Sequence, residues 1–430
     1  MAAIGQSGED AGFVRANLRW NFIALSSDYG LFGLGLTFAS TWTVLAAFAE
    51  RLGASNLVIG ALPAVQTVGW ALPSVLAANY VERQARKLPL ILVVTVWERV
   101  PYLLMGIVAL LLAESRPTLA LALTLLLVAT MAVSGGSIMP AWMDLIGKVI
   151  PVSVRGRFFA TGTVISGLTG VAGAAAVGVL LSQYPYPRGY ALCFFAAFAA
   201  LAASFFFLAA TREYPAPPTK PPIGFGAYMR RLPGVLRSDH NFSAYLGARA
   251  FGLVSTMGHA FYTVFALTRL GAGDEQVGVF TFWVLAAQTV STVAWGWLAD
   301  RHGHKVVLVL GTGAAVLGNV VALVAAEPQH MYLAFAAMGA YLSAVGVSHL
   351  AIMLEFSAPE DRPTYVGLAG TLLSPFAFAA PLLGGLLADA VGYPVVFAAA
   401  AVLAAASAAF LVCAVREPRS IVRSGGASRP

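Results

Sequence analysis

Apolar residues fall in twelve runs of about twenty or more positions, separated mostly by short polar loops. The runs cover residues 21–49, 57–80, 88–113, 118–146, 158–182, 189–210, 242–269, 276–299, 305–326, 331–356, 364–389 and 394–415. A bilayer core takes about 20 helical residues to cross. The pattern therefore predicts an all-α membrane protein with twelve transmembrane helices. The runs are too long for an outer-membrane barrel and lack its residue-by-residue alternation. The longest gap, 211–241, holds Pro215, Pro217, Pro218, Pro221 and Pro222, which predicts a stiff, partly extended linker. It divides the chain into two six-helix bundles, 21–210 and 242–415, flanked by an N-terminal segment 1–20 and a tail 416–430. The end of the tail, 420–430, reads as disordered. The first twenty residues carry no cleavable signal pattern, so the first span is expected to act as an uncleaved anchor.

The two halves repeat. Arg51-Leu52-Gly53-Ala54 returns 218 positions later as Arg269-Leu270-Gly271-Ala272. The same offset pairs Gly60 with Gly278, Glu82 with Asp300, Arg83 with Arg301 and Lys87 with Lys305. A membrane protein built from two similar halves implies a transporter whose bundles rock about a site held between them.

Composition agrees with the run pattern. Hydrophobic residues make up 59% of the chain and charged residues 10%, where a soluble domain carries about 25% charge. Mean hydropathy is +0.79. The net charge of +7 does not point to nucleic acid, because the basic residues sit in loops between apolar runs rather than along one face. Twenty Lys and Arg lie in loops on one side. Arg51, Arg116, Arg188 and Arg269 alone lie on the other. That asymmetry places both termini in the cytoplasm of a cytoplasmic-membrane protein. Cys193 and Cys413 fall inside apolar runs and are expected to be buried free thiols. No His-Glu-x-x-His, P-loop or nucleophile elbow occurs. An enzyme, direct ATP drive, a cofactor and a metal site are therefore not expected.

Residues 296–307 read Gly296-Trp-Leu-Ala-Asp300-Arg301-His-Gly303-His-Lys305-Val-Val. This resembles the signature loop between the second and third helices of each half in the major facilitator superfamily. Twelve spans, inside termini and a long central loop extend the resemblance over nearly the whole chain. The first-half copy is degenerate: Ala78 and Ala85 replace the glycines and Glu82 replaces the aspartate, while Arg83 and Lys87 are kept. The resemblance implies a cytoplasmic latch. Asp300 would sit near the start of the fifth helix beside Arg155 and Arg157, and Glu82 would face the start of the eleventh near Arg362. A carboxylate at a helix N-terminus gains from the helix dipole. Ordinary positive-inside loop charges are the plainer reading of the same residues. Two family features are missing: no basic residue lies in 121–143, and the fifth helix lacks the proline of the antiporter motif. Both absences weaken a specific drug/proton antiport assignment.

The resemblance also implies that the first, fourth, seventh and tenth helices line a cavity. In the fourth, Thr130, Ser134, Ser137, Asp144 and Lys148 share one face. The first three either line the cavity or bond their own helix carbonyls, and Asp144–Lys148 reads as a gate or as a local ion pair. In the seventh, Arg249, Thr256, His259 and Thr263 share a face, with His259 near mid-membrane as a substrate or proton site or as a neutral packed histidine. Arg249 either holds an anion, pairs with an acid, or snorkels to the interface. The tenth offers Tyr341, Ser348 and Glu355 with His349 beside them. The first offers Trp42 near its middle and Asp28 in its cytoplasmic third, a proton site or a partner for Arg249 or Arg99. Gln66 and Gln288 lie near the middles of the second and eighth spans. Glu98 and Arg99 are neighbours on the third, where adjacent side chains point about 100° apart. They are expected to find separate partners, as a scaffold of the first bundle or, for Glu98, as a proton site.

Three functions fit. The leading one is a monomeric secondary transporter in the lipid bilayer, moving a small-molecule substrate of unnamed class with protons as the candidate coupling ion and export preferred. Movement of lipids or amphiphiles, and a transport-inactive sensor or scaffold, are the alternatives.

Overall fold

The apolar runs fold as helices, and every regular element among the described residues is helical. The structure is a computed structural model that describes residues 8–215, 239–357 and 362–418. The proposed linker from 216 on and the tail from 420 lie outside the described residues, as do the side chains of Glu82 and Arg362. In chain order the elements are α1 (Gly8–Phe38), α2 (Val44–Arg51), α3 (Asn56–Glu82), α4 (Leu88–Leu112), α5 (Pro117–Val149), α6 (Val152–Gln183) and α7 (Arg188–Ala209). The second half follows with α8 (His240–Val254), a 3-10 segment (Ser255–Phe261), α9 (Tyr262–Arg269), α10 (Glu275–His302), α11 (His304–Val324), α12 (His330–Phe356), α13 (Arg362–Val391) and α14 (Tyr393–Ala414).

Eleven of the predicted spans are helices long and apolar enough to cross a membrane by length and composition. The first span differs from the expectation. Its helix begins as early as Gly8 and breaks at residues 39–43, so the first apolar run is divided between α1 and the short α2. The seventh span is interrupted in the corresponding place by the 3-10 segment before α9. The two eight-residue helices α2 and α9 stand 218 positions apart, the offset seen in the sequence. The Arg-Leu-Gly-Ala repeat ends both of them, and both glycines take a left-handed backbone, φ 80° at Gly53 and 71° at Gly271. That conformation favours glycine.

The signature loops show why one copy is degenerate. Gly303, with φ 90°, is the single residue between α10 and α11. Ala85 stands at the equivalent place, and no described non-glycine residue has positive φ. The first half accordingly needs residues 83–87 to make the same connection.

The chain divides into two compact units. One takes the chain up to Ser40 and from Val68 through the rest of the first half. The other takes Thr41–Thr67 together with the second half. In the first unit Leu25, Ile91, Leu145, Ile146 and Phe158 form an apolar core. In the second the matching core gathers Phe242, Tyr245, Leu308, Ile352 and Leu411. Large apolar side chains such as Trp97, Leu126, Phe206, Val290 and Val324 point outward and are more than half exposed. Asp28, Glu98, Arg99, Arg249 and His259 are buried. A polar interior with an apolar exterior suits lipid as the solvent. Cys193 is buried as expected, but Cys413 is exposed, because it lies off the buried face of α14 that runs through Val396, Ala400, Ala404, Ser407 and Leu411.

Candidate functional site

The first unit holds a buried ionic cluster. Asp28 of α1 accepts a 2.6 Å bond from Ser204 Oγ of α7, and Trp142 lies beside the same carboxylate. Arg99 Nη2 of α4 lies 3.6 Å from Asp28 Oδ1. Arg99 also donates from Nε to Leu201 O (2.9 Å), from Nη2 to Ser204 Oγ (3.0 Å) and from Nη1 to Thr95 Oγ1. Its guanidinium lies over the Phe32 ring at 5.5 Å. Of the two arginines proposed for Asp28, Arg99 is the one in contact.

Glu98 corrects the sequence expectation. It does meet its neighbour: Arg99 Nη1 approaches Glu98 Oε2 at 3.3 Å, and Thr95 Oγ1 donates to that oxygen at 3.0 Å. Thr95, one turn earlier, lies between the two long side chains, and both bend back toward it. Around this cluster lies a cavity of about 320 Å³ lined by Asp28, Tyr29, Phe32, Trp70, Thr95, Glu98 and Arg99, with Gly135, Met139 and Trp142 among its other walls. Its size is at the small end for small-molecule sites. α4 thus contributes to a cavity, where the resemblance had implied only the first, fourth, seventh and tenth spans.

The fourth-span stripe divides. Thr130 Oγ1 and Ser137 Oγ bond their own helix carbonyls, Leu126 O and Val133 O. Ser134 is buried. Asp144 and Lys148 do not pair with each other. Asp144 Oδ2 lies 3.5 Å from Lys87 Nζ, and Lys148 Nζ lies 3.2 Å from Glu213 Oε1. The loop between α3 and α4 brings Lys87 to the stripe, and the chain leaving α7 brings Glu213.

Glu213 is a residue that sequence reasoning missed. Its carboxylate accepts the backbone N–H groups of Lys87 (2.8 and 2.9 Å) and Leu88 (2.8 Å), capping α4. In the second half Glu417 accepts the N–H of Lys305 at 3.0 Å, at the start of α11. Each acid follows an arginine whose backbone is held by an asparagine. Asn21 exchanges two bonds with Arg212 (3.0 and 2.9 Å), and Asn241 exchanges two with Arg416 (2.9 and 2.7 Å). The signal was present in the sequence: Arg-Glu follows the sixth span of each half, as Arg212-Glu213 and Arg416-Glu417.

The proposed latch residues have local partners. Arg155 donates to Ile150 O (2.9 Å) and Gly147 O (2.5 Å), closing the C-terminus of α5. Arg83 and Asp300 are exposed and Gly296 is half-buried. Arg301 stacks over Trp297 at 4.3 Å, and Lys305 Nζ donates to Val412 O at 3.1 Å.

In the second unit Arg249 is 3% exposed, which excludes snorkelling, and it lies close to Tyr341. Tyr341 in turn donates to Gly252 O at 3.1 Å. The His259 ring packs between Tyr262 (5.5 Å) and Tyr341 (5.6 Å), and neither ring nitrogen has a hydrogen-bond partner among the described residues. Tyr245 Oη meets His349 Nδ1 at 2.5 Å. Ser348 Oγ meets His304 Nδ1 at 3.1 Å, and His304 Nε2 lies 3.8 Å from Glu355 Oε1. His304, inside the signature loop, was not singled out from the sequence. Thr256 bonds its own helix at Leu253 O, and Gln288 is half-buried on α10.

The same unit contains the chain breaks. Trp42 lies in the break after α1 rather than in mid-helix, and Thr263 Oγ1 donates to its carbonyl at 2.8 Å. Thr41 Oγ1 donates to Gln66 Oε1 at 2.8 Å, and Thr43 and Thr281 share a 2.7 Å bond. Arg51 pairs with Asp274 at 3.0 Å. Asp389 of α13 caps the start of α3, accepting Asn56 N (3.2 Å), Leu57 N (3.1 Å) and Asn56 Nδ2 (2.8 Å).

Residues 242–429 match the model of the Major Facilitator Superfamily. No curated protein matches the chain. Among solved structures, the D-xylose-proton symporter aligns with a TM-score of 0.69 at 13% identity, covering 93% of this chain and 98% of that one. The nucleoside transporter NupG aligns with 0.65 at 11% identity, over 91% and 98%. A bacterial homologue of the lysosomal transporter Spinster aligns with 0.61 at 16% identity, over 96% of each chain. The second half of the chain thus matches the Major Facilitator Superfamily in sequence, and nearly the whole length shares the fold of these solved membrane transporters.

Proposed function

We propose that the protein is a secondary active transporter that moves a small organic solute across the cytoplasmic membrane by alternating access, coupled to protons and directed to export. One observation carries the reading. A cavity of about 320 Å³ inside the first unit is lined by Asp28, Glu98 and Arg99. Charge buried at membrane depth is expensive, and it marks ion and substrate paths. A helix bundle serving only as a scaffold gains nothing from two carboxylates at a cavity wall. Asp28 and Glu98 are the proposed proton carriers. The breaks before α2 and α9 are the proposed points of flexure, since regular α-helical backbone is interrupted at each.

Reconstitution in vesicles tests this. With a proton gradient imposed, a transported solute collapses the gradient in vesicles containing the protein and not in empty ones. A panel spanning organic cations, organic acids, sugars, amino acids and lysolipids that produces no protein-dependent flux, with the protein shown to be folded, overturns the proposal.

A further inference from the structure

The cavity in the first unit has an unbalanced charge. With both carboxylates ionised, Asp28 and Glu98 outnumber the single guanidinium of Arg99 among its lining residues. Arg99 cannot turn toward a ligand, because Leu201 O, Ser204 Oγ, Thr95 Oγ1 and the two acids engage Nε, Nη1 and Nη2. Asp28 is enclosed by Ser204, Arg99 and Trp142. Glu98 is different. Its Oε2 takes Thr95 and Arg99, and Oε1 accepts nothing among the described residues. Oε1 lies against Gly135: a Cβ there would stand 2.7 Å from Oε1 and 3.2 Å from the Trp70 ring. Glycine at 135 therefore leaves room where a charged oxygen borders an indole. The remaining walls are apolar and aromatic, with Tyr29, Phe32, Trp70 and Trp142.

We propose that this cavity binds an organic cation with an apolar or aromatic body, its charged nitrogen at Glu98 Oε1 and its body against Trp70 and Trp142. The proposal rests on the transport reading of the same cavity. An aromatic face attracts a cation most strongly where water is excluded, and a buried carboxylate that shares its one guanidinium with a second acid gains from a further cation arriving. A divalent metal ion fits poorly, since it asks for six or more oxygens and the cavity offers two carboxylates already sharing an arginine. An organic anion finds its only nearby guanidinium engaged. A sugar finds few free donors or acceptors.

Calorimetric titration of the full-length protein in lipid nanodiscs tests the charge requirement. The probes are N-methyl-4-phenylpyridinium, its uncharged relative 4-phenylpyridine at alkaline pH, and 4-phenylbenzoate. The cation is expected to bind saturably, the neutral ring at least ~10-fold more weakly, and the anion not at all. Glu98→Gln is expected to lower cation affinity ~10- to 100-fold, and Trp70→Leu at least ~3-fold. If Glu98→Gln fails to fold, Gly135→Ala, which crowds Oε1 and the indole, replaces it with the same expected direction. Equal binding of cation and neutral ring, unchanged cation binding in folded Glu98→Gln, or no cation binding by the folded wild type each overturns the proposal. Vesicle flux separates the two readings. Cation binding without flux of any solute rejects transport and leaves the site standing. Transport of a neutral or anionic solute by a protein that ignores the cations keeps transport and rejects this site.

Discussion

Glu213→Gln and Glu417→Gln are chemically identical changes at matching places in the two halves, yet the structure makes them unequal. The Glu213 side chain is 2% exposed and accepts three backbone N–H contacts plus the Lys148 ammonium. Both of its oxygens face donors, so a glutamine amide sets an NH₂ against an N–H whichever way it turns. Breaking a buried ion pair costs about 3–5 kcal/mol. Glutamine keeps the shape and one acceptor, which points to the lower end, about 3 kcal/mol. Glu417 is only half-buried and accepts the N–H of Lys305, while the Lys305 ammonium goes to Val412 O. Water can replace part of that contact, so Glu417→Gln should cost about 1 kcal/mol. Thermal unfolding of the purified protein reads the difference. Melting entropy scales with the residues that unfold together, so Glu213→Gln should lower Tm by about 3 °C if the whole chain melts at once and about 7 °C if one half does. Glu417→Gln should shift it by about a third as much. Equal shifts in the two variants, or no shift in Glu213→Gln, would refute the reasoning that burial sets the value of each cap.

Two further predictions concern other parts of the framework. Asn21→Ala removes two bonds to the Arg212 backbone at a position 1% exposed, and should cost about 2–3 kcal/mol because the freed groups stay out of water. Asn241→Ala removes the equivalent pair at an exposed site, and should cost about 1 kcal/mol. A larger loss at Asn241 in the same melting assay contradicts the burial argument. Asp389→Asn weakens the cap on α3 by about 1–2 kcal/mol. With Thr41→Cys as a reporter, 8% exposed in the intact structure, and the native cysteines replaced, labelling by a membrane-impermeant maleimide should speed up several-fold. An unchanged rate means the Asp389 cap does not limit access to position 41.

What could be read from the amino-acid order alone follows from the demands of lipid. A bilayer offers no partner for backbone N–H and C=O groups, so an apolar run of sufficient length has to be a helix. The spans, the two-fold repeat and the signature loop were legible for that reason. The first span was misread as one helix, because the break at residues 39–43 is held by Thr263 on Trp42 O and Thr43 on Thr281, partners more than two hundred residues away. The ionic cluster was legible only in part, with Arg99 one of two arginines offered to Asp28 and the contact of Arg99 with Glu98 not expected. Asp28, Glu98 and Arg99 each stood out as buried charges, but packing of α1, α4 and α7 chose Ser204 as the link between Asp28 and Arg99 and left Glu98 Oε1 at a cavity wall. Asp144 and Lys148 matched the helical spacing of a pair, and tertiary neighbours with better access, Lys87 and Glu213, took them instead. Backbone hydrogen bonding within a helix is local and can be inferred from a run of residues. The choice of a side-chain partner between helices depends on which faces meet, and only the packed structure decides that.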